Sequence, residues 1–173
     1  MASTLKVNTI QHTGGTTGLA IDSSGRVTQP TLPVFFAHGS ESGYIASASS
    51  HTKIAGWDGG GTLRIVQGGI SYSSGTVTVP VAGIYEVFGS ILTECDNAEY
   101  MLLMIYKNGN TRVTLDQTYN VSAGGQIGHT SRTQCFVSLA VGDTIELHQQ
   151  ANNTSARWYN NSTYGTFGVR LIG

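Results

Sequence analysis

Charge is scarce in this chain. Only 11% of its 173 residues are Asp, Glu, Lys or Arg, nine basic against ten acidic, for a formal net charge of −1. An ordinary soluble domain carries about 25%. A protein that grips duplex nucleic acid shows a basic excess or stripe, and none is present. Long apolar runs are missing too: no stretch reaches the roughly 18 apolar residues of a membrane-spanning helix. Residues Met1 to Lys6 lack the basic-then-apolar order of a signal peptide, so secretion by that route is not expected. Cysteine is limited to Cys95 and Cys135, too few for a disulfide framework. They read as buried thiols acting as small apolar groups, with one bridge between them left open.

The space is filled by Gly (23), Thr (21), Ser (17) and Asn (9), together 70 residues. That mixture suits short strands joined by many turns. It does not suit a helical bundle, which needs Ala, Leu, Glu and Lys. Apolar residues still reach 39%. At this length a folded chain hides roughly 70% of the surface its unfolded form exposes, so a real core can form.

Residues 1–30 differ from the rest. Leu5-Lys6-Val7-Asn8-Thr9-Ile10 alternates apolar and polar, as a short half-exposed strand does. Leu19-Ala20-Ile21-Asp22, then Ser23-Ser24-Gly25, then Arg26-Val27 reads as strand, tight turn and strand. The segment has too few large apolar residues to fold alone. It reads as an extended attachment arm, with Leu5, Val7, Ile10, Leu19 and Ile21 as the docking residues. Strand addition to a partner's sheet edge is a natural mode for it. Pro30 and Pro33 mark the boundary, and residues 31–173 read as one domain.

In that domain, alternating or continuous apolar runs predict strands over 34–38, 62–66, 76–81, 83–92, 100–106, 111–121, 133–141, 144–148 and 164–172. Residues 39–61 read as loop. Asn97 to Tyr106 admits helix by residue type, but its flanking turns and length favour a strand. Asn108-Gly109 between apolar runs is a strong hairpin signal, because both residues tolerate positive φ. Gly142-Asp143 reads as another two-residue hairpin turn. The expected fold is all-β: an antiparallel jelly-roll sandwich of about eight to ten strands, preceded by the arm.

Four pieces then fall in a familiar order. They are Val79-Pro80-Val81-Ala82-Gly83-Ile84-Tyr85, Lys107-Asn108-Gly109, Leu139-Ala140-Val141-Gly142-Asp143, and Tyr164-Gly165-Thr166-Phe167-Gly168. From Pro33 onward the chain resembles the jelly rolls of the complement globular-head (C-one-q) and tumour-necrosis-factor superfamily. Gly83, Tyr85, Asn108, Gly109, Gly142, Asp143 and Phe167 carry that signature. Ser3 to Gln11 and Ala20 to Val27 resemble the N-termini of virion structural proteins of tailed bacteriophages. Together the resemblances imply a homotrimeric jelly-roll knob on a virion surface, made in the host cytoplasm and attached by residues 1–30 to another virion protein of capsid or tail. The implied role is capsid decoration or cement. A short tail fibre or fibre tip that binds a host-surface glycan or receptor is the alternative, and a soluble lectin-like module outside a virion the second.

Catalysis has little support. His12, His38, His51, His129 and His148 show no metal-ligand spacing. Asp58 and the group Glu94, Asp96 and Glu99 could offer oxygens to calcium, but read as solvated loop acids. Gly59-Gly60-Gly61 lacks the Lys-Ser/Thr of a phosphate cradle. No enzyme, cofactor or metal site is expected, and neither nucleic acid nor membrane is an expected partner. Arg157-Trp158-Tyr159-Asn160 reads as a possible ligand-contact loop, because aromatics beside Asn can stack on sugar rings and bond hydroxyls. The competing reading packs Trp158 beneath the loop or into a subunit interface.

Overall fold

The computed structural model describes residues 6–15, 17–44, 50–58, 64–95, 99–119, 127–161 and 163–173. Leu5, Asp96 and Gly59-Gly60-Gly61 lie outside the described residues. The described residues form sixteen strands. β1 (Thr9–Gln11), β2 (Thr17–Ile21) and β3 (Val27–Thr28) form an antiparallel sheet of their own. The expected arm is therefore a three-stranded meander. Its β2–β3 turn is tied by Asp22, whose carboxylate accepts from Ser24 N at 2.9 Å and from Arg26 N at 3.0 Å.

The remaining strands build a two-sheet sandwich. One sheet has seven strands: β4 (Val34–His38), β5 (Ser42–Tyr44), β7 (Arg64–Gln67), β10 (Gly83–Cys95), β13 (Ile127–Leu139), β15 (Arg157–Tyr159) and β16 (Thr166–Leu171). β10 is its spine. β13 pairs along one edge of it, and β16 then β15 share the other. The second sheet has six: β6 (Thr52–Lys53), β8 (Ser71–Ser73), β9 (Thr76–Thr78), β11 (Tyr100–Lys107), β12 (Thr111–Tyr119) and β14 (Thr144–Ala151).

Inward residues follow the period of two that strands impose. Tyr85, Val87 and Ile91 on β10 meet Phe167 and Val169 on β16, Phe35 and Ala37 on β4, and Leu103, Ile105, Ile145 and Leu147 from the other sheet. Phe35 and Phe167 pack edge to face at 5.5 Å, and Trp57 closes over Phe167 at 5.6 Å. The signature residues serve this frame. Tyr85 is fully buried and its hydroxyl donates to Val81 O at 2.9 Å. Asn108 and Gly109 turn the β11–β12 hairpin at φ of 54° and 69°. Asn108 Nδ2 donates to Asp143 at 2.9 Å, and Lys107 Nζ lies 2.7 Å from the same carboxylate.

Several expectations need correction. Residues 39–61 are not all loop, since β5 and β6 lie there as short edge strands. β13 ends at Leu139, and Val141 stands in the turn beyond it, 69% exposed. Gly142-Asp143 is not a hairpin turn. It carries the chain from β13 in one sheet to β14 in the other, docked on Val79 by backbone bonds of 2.9 and 3.0 Å. Cys95 and Cys135 form no disulfide. Cys135 faces Val87, eight residues along β10 from Cys95, about 26 Å at strand rise, so no bridge forms within the chain.

Candidate interaction surfaces

The outer face of the seven-stranded sheet is set by β10. Its outward residues are Ile84, Glu86, Phe88, Ser90, Leu92 and Glu94, alternating with the buried set. Opposite them on β13 stand Ser138, Phe136, Gln134, Arg132 and Thr130. β4 adds Val34, Phe36 and His38. The face is unusually apolar for an open surface: Phe136 is 65% exposed and Ile84 48%. Phe36 and Phe88 lie 6.2 Å apart between ring centres. Gly168 sits under Phe88, where any Cβ would run into the ring. Exposed apolar patches of this kind mark interaction sites.

Amid these rings Glu86 is 8% exposed. Gln134 Nε2 donates to it at 2.6 Å, and Arg170 closes a tight ion pair on its other oxygen. Beside it opens a groove of about 760 Å³, between β10, β13 and residues 163–166. Its walls mix Phe88 and Tyr164 with the hydroxyls of Ser90, Thr130, Thr163 and Thr166 and with Arg132.

The outer face of the six-stranded sheet is different. His51 stacks on Tyr106 at 4.6 Å, and both pack on His148 at 5.2 and 4.4 Å. His148 Nε2 meets Glu146 at 2.9 Å. Glu146 also accepts from Thr76 Oγ1 at 2.7 Å and pairs with Lys53 at 3.4 Å. Burial alone would raise the Glu146 carboxyl. The bonds from Thr76 and His148, with the Lys53 charge, more than offset it and hold the group below its ordinary value. Burial pushes His148 below the usual imidazole range, against the pull of Glu146 and with the help of His51 and Lys53. Among the described residues no group of three His, Cys, Asp or Glu is placed to hold a metal ion.

The sequence-predicted site residues fall in two places. In the meander, the register pairs Ile10 with Leu19 and Ile21 with Val27, so these four share one face. Ile10 is 54% exposed and Val27 62%, while Val7 precedes β1 and is half-buried. Arg157, Trp158 and Tyr159 are strand β15, not a loop. Trp158 turns into the core and is 8% exposed, as the packing reading has it. Asn160 is fully buried, accepting from Glu41 N at 2.8 Å and donating to Gly56 O at 3.0 Å. Tyr159 donates to Glu94 at 3.1 Å, and Ser155 donates to the buried Glu99 at 3.0 Å. These groups fix one end of the sandwich.

Sequence reasoning missed Glu86, Phe88, Phe136, Arg170, Arg132 and Tyr164. A signal was available for the first two. Residues 84–92 carry large apolar side chains at both parities, the mark of a strand covered on both faces.

This architecture defines the protein's fold class, a tumour-necrosis-factor-like jelly roll. Among solved structures it is similar to murine APRIL at pH 5.0, with a TM-score of 0.62 and 14% identity over 82% of this chain and 99% of that one. It is also similar to Eiger TNF from S. frugiperda, with a TM-score of 0.63 and 12% identity over 83% of this chain and 94% of that one. At such identity the likeness is one of fold. No family model and no curated protein matches the chain.

Proposed function

We propose that this chain is a non-enzymatic structural protein of a tailed-bacteriophage particle. It is a homotrimeric jelly-roll knob fixed to the virion surface by its N-terminal meander, as a capsid decoration or cement. The observation that carries the knob reading is the outer face of the seven-stranded sheet. Ile84 and Phe136 stand exposed there, in a chain with little charge to keep copies apart. Closed packing around an axis covers such a face on every copy. The meander supports attachment: a three-stranded sheet with Ile10, Leu19, Ile21 and Val27 on one side gains stability by covering it. The likeness of residues 3–11 and 20–27 to virion N-termini supports the placement.

Sedimentation equilibrium of the full chain tests the knob, with a mass of three times 18.3 kDa expected. A monomer at micromolar concentration would sink the trimer. Gold-labelled antibody on intact particles tests the placement. Label over the head supports decoration, label confined to the tail moves the reading to a fibre tip, and unlabelled particles overturn both.

A further inference from the structure

We propose that the groove beside Glu86 is a binding site for an acidic saccharide, a sugar bearing a carboxylate. The inference rests on the knob reading only in needing this end of the sheet to stay open. Ile84 and Phe136 lie toward one end of the strands, and Ser90, Thr130 and Thr166 toward the other. From Ile84 to Ser90 is about 20 Å along the strand.

The chemistry follows from which charges are already used. Glu86 is neutralised within the chain by Arg170 and Gln134. Arg132 is not: its side chain is exposed on the groove wall and makes no ion pair among the described residues. The backbone beneath it is held rigid, with Arg132 N donating to Asp116 at 3.0 Å. The groove thus offers one free guanidinium, whose planar fork matches a carboxylate in two parallel bonds. Around it stand the hydroxyls of Ser90, Thr130, Thr163 and Thr166, each able to donate and accept, as sugar hydroxyls require. Ser90 and Thr166 already bond each other at 2.8 Å, which orients the pair. Tyr164, 46% exposed, and the Phe88 ring give the flat apolar surfaces on which a sugar's C–H face rests. A peptide or nucleic-acid strand would need an edge or a longer basic track, and this site has one cation in an open groove of about 760 Å³, room for a two- or three-sugar ligand.

Titration calorimetry of the full chain with tri-galacturonic acid tests this, with the neutral maltotriose as the comparison. Binding of the acidic sugar at least tenfold tighter is expected. Arg132→Gln should remove that preference, and Tyr164→Ala should weaken both sugars. Each sample is run on sedimentation equilibrium as well. A trimer that binds neither sugar, binds both equally, or keeps its preference in Arg132→Gln overturns the saccharide site and leaves the knob standing. A monomer that binds tri-galacturonic acid through Arg132 keeps the site and sinks the trimer.

Discussion

The two outer faces of the sandwich each bury one glutamate at 8% exposure, and they treat it in opposite ways. Around Glu146 the chain supplies the partners: Thr76, Lys53 and His148 bond it, while His51 and Tyr106 pack on His148. The aromatic and apolar groups there, Tyr106 and Met104, are buried as well. Around Glu86 the chain supplies one amide and one guanidinium, and leaves Phe136 and Ile84 in water. The first face covers its glutamate within the chain, with His148 Nδ1 buried there without a hydrogen-bond partner. The second keeps an apolar strip open to solvent. A bonded polar cluster fixes a unique structure, whereas an exposed apolar strip provides association.

Removing a central residue from each face should separate the two most clearly. Glu146→Ala leaves Lys53 and His148 without their partner. It should cost about 3 kcal/mol of stability, the range for breaking a buried pair. The denaturant midpoint should fall at unchanged slope, with the trimer intact. Phe136→Asp should do the reverse. It should abolish the trimer in sedimentation, while the unfolding free energy of the dissociated chain stays within about 0.5 kcal/mol of the same chain bearing Phe136→Ser. If Phe136→Asp stays trimeric, the open face is not the association surface.

Acid should reach the Glu146 face first. His148 is held below its ordinary value in the folded chain, so the unfolded chain takes up the proton earlier. Its contribution is present above the unfolded value of about 6.5 and is lost as pH falls toward the folded one. Glu146 has the same sign. Its folded value lies below the ordinary carboxylate range, so its contribution is present above about 4.5 and is lost as pH falls through the folded value. Asp143, held down to about 2 by Lys107 and Asn108, extends the loss to lower pH. The melting temperature should therefore fall monotonically from pH 7 to pH 3. His148→Gln should flatten the part just below pH 6.5. A profile of the same slope in that variant would take His148 out of the account.

The frame was legible because its residues signal locally. Asn108-Gly109 announces a hairpin by backbone tolerance, and Phe167, Val169 and Leu171 announce an inward face by spacing alone. Long-range partners carry no such mark. Nothing near His148 in sequence points to His51 or Lys53, which arrive through the β6–β14 pairing. Trp158 and Asn160 look like loop residues because short polar stretches flank them, yet edge pairing to β5 and the bonds of Asn160 to Glu41 and Gly56 draw them inside. The groove was illegible for the same reason. Arg132 and Tyr164 are more than thirty residues apart and meet only because β13 and β16 flank the same strand.

Neutralising each glutamate without changing its shape should give smaller differences. Glu86→Gln swaps a carboxylate for an amide of the same shape, keeps a partner for Gln134, and releases Arg170. The Arg170 side chain is 56% exposed in the single chain, so water takes up the guanidinium and the cost should be about 0.5 kcal/mol. Glu146→Gln should cost several times more, because His148 beside it is 7% exposed and cannot be rehydrated without opening the sheet's cover. Measured in the dissociated Phe136→Asp background, the two values should differ in this way. Measured in the trimer, the Glu86→Gln cost should rise, because a neighbouring copy on this face removes water from Arg170. An equal cost in both backgrounds would mean that the neighbour sits elsewhere on the molecule.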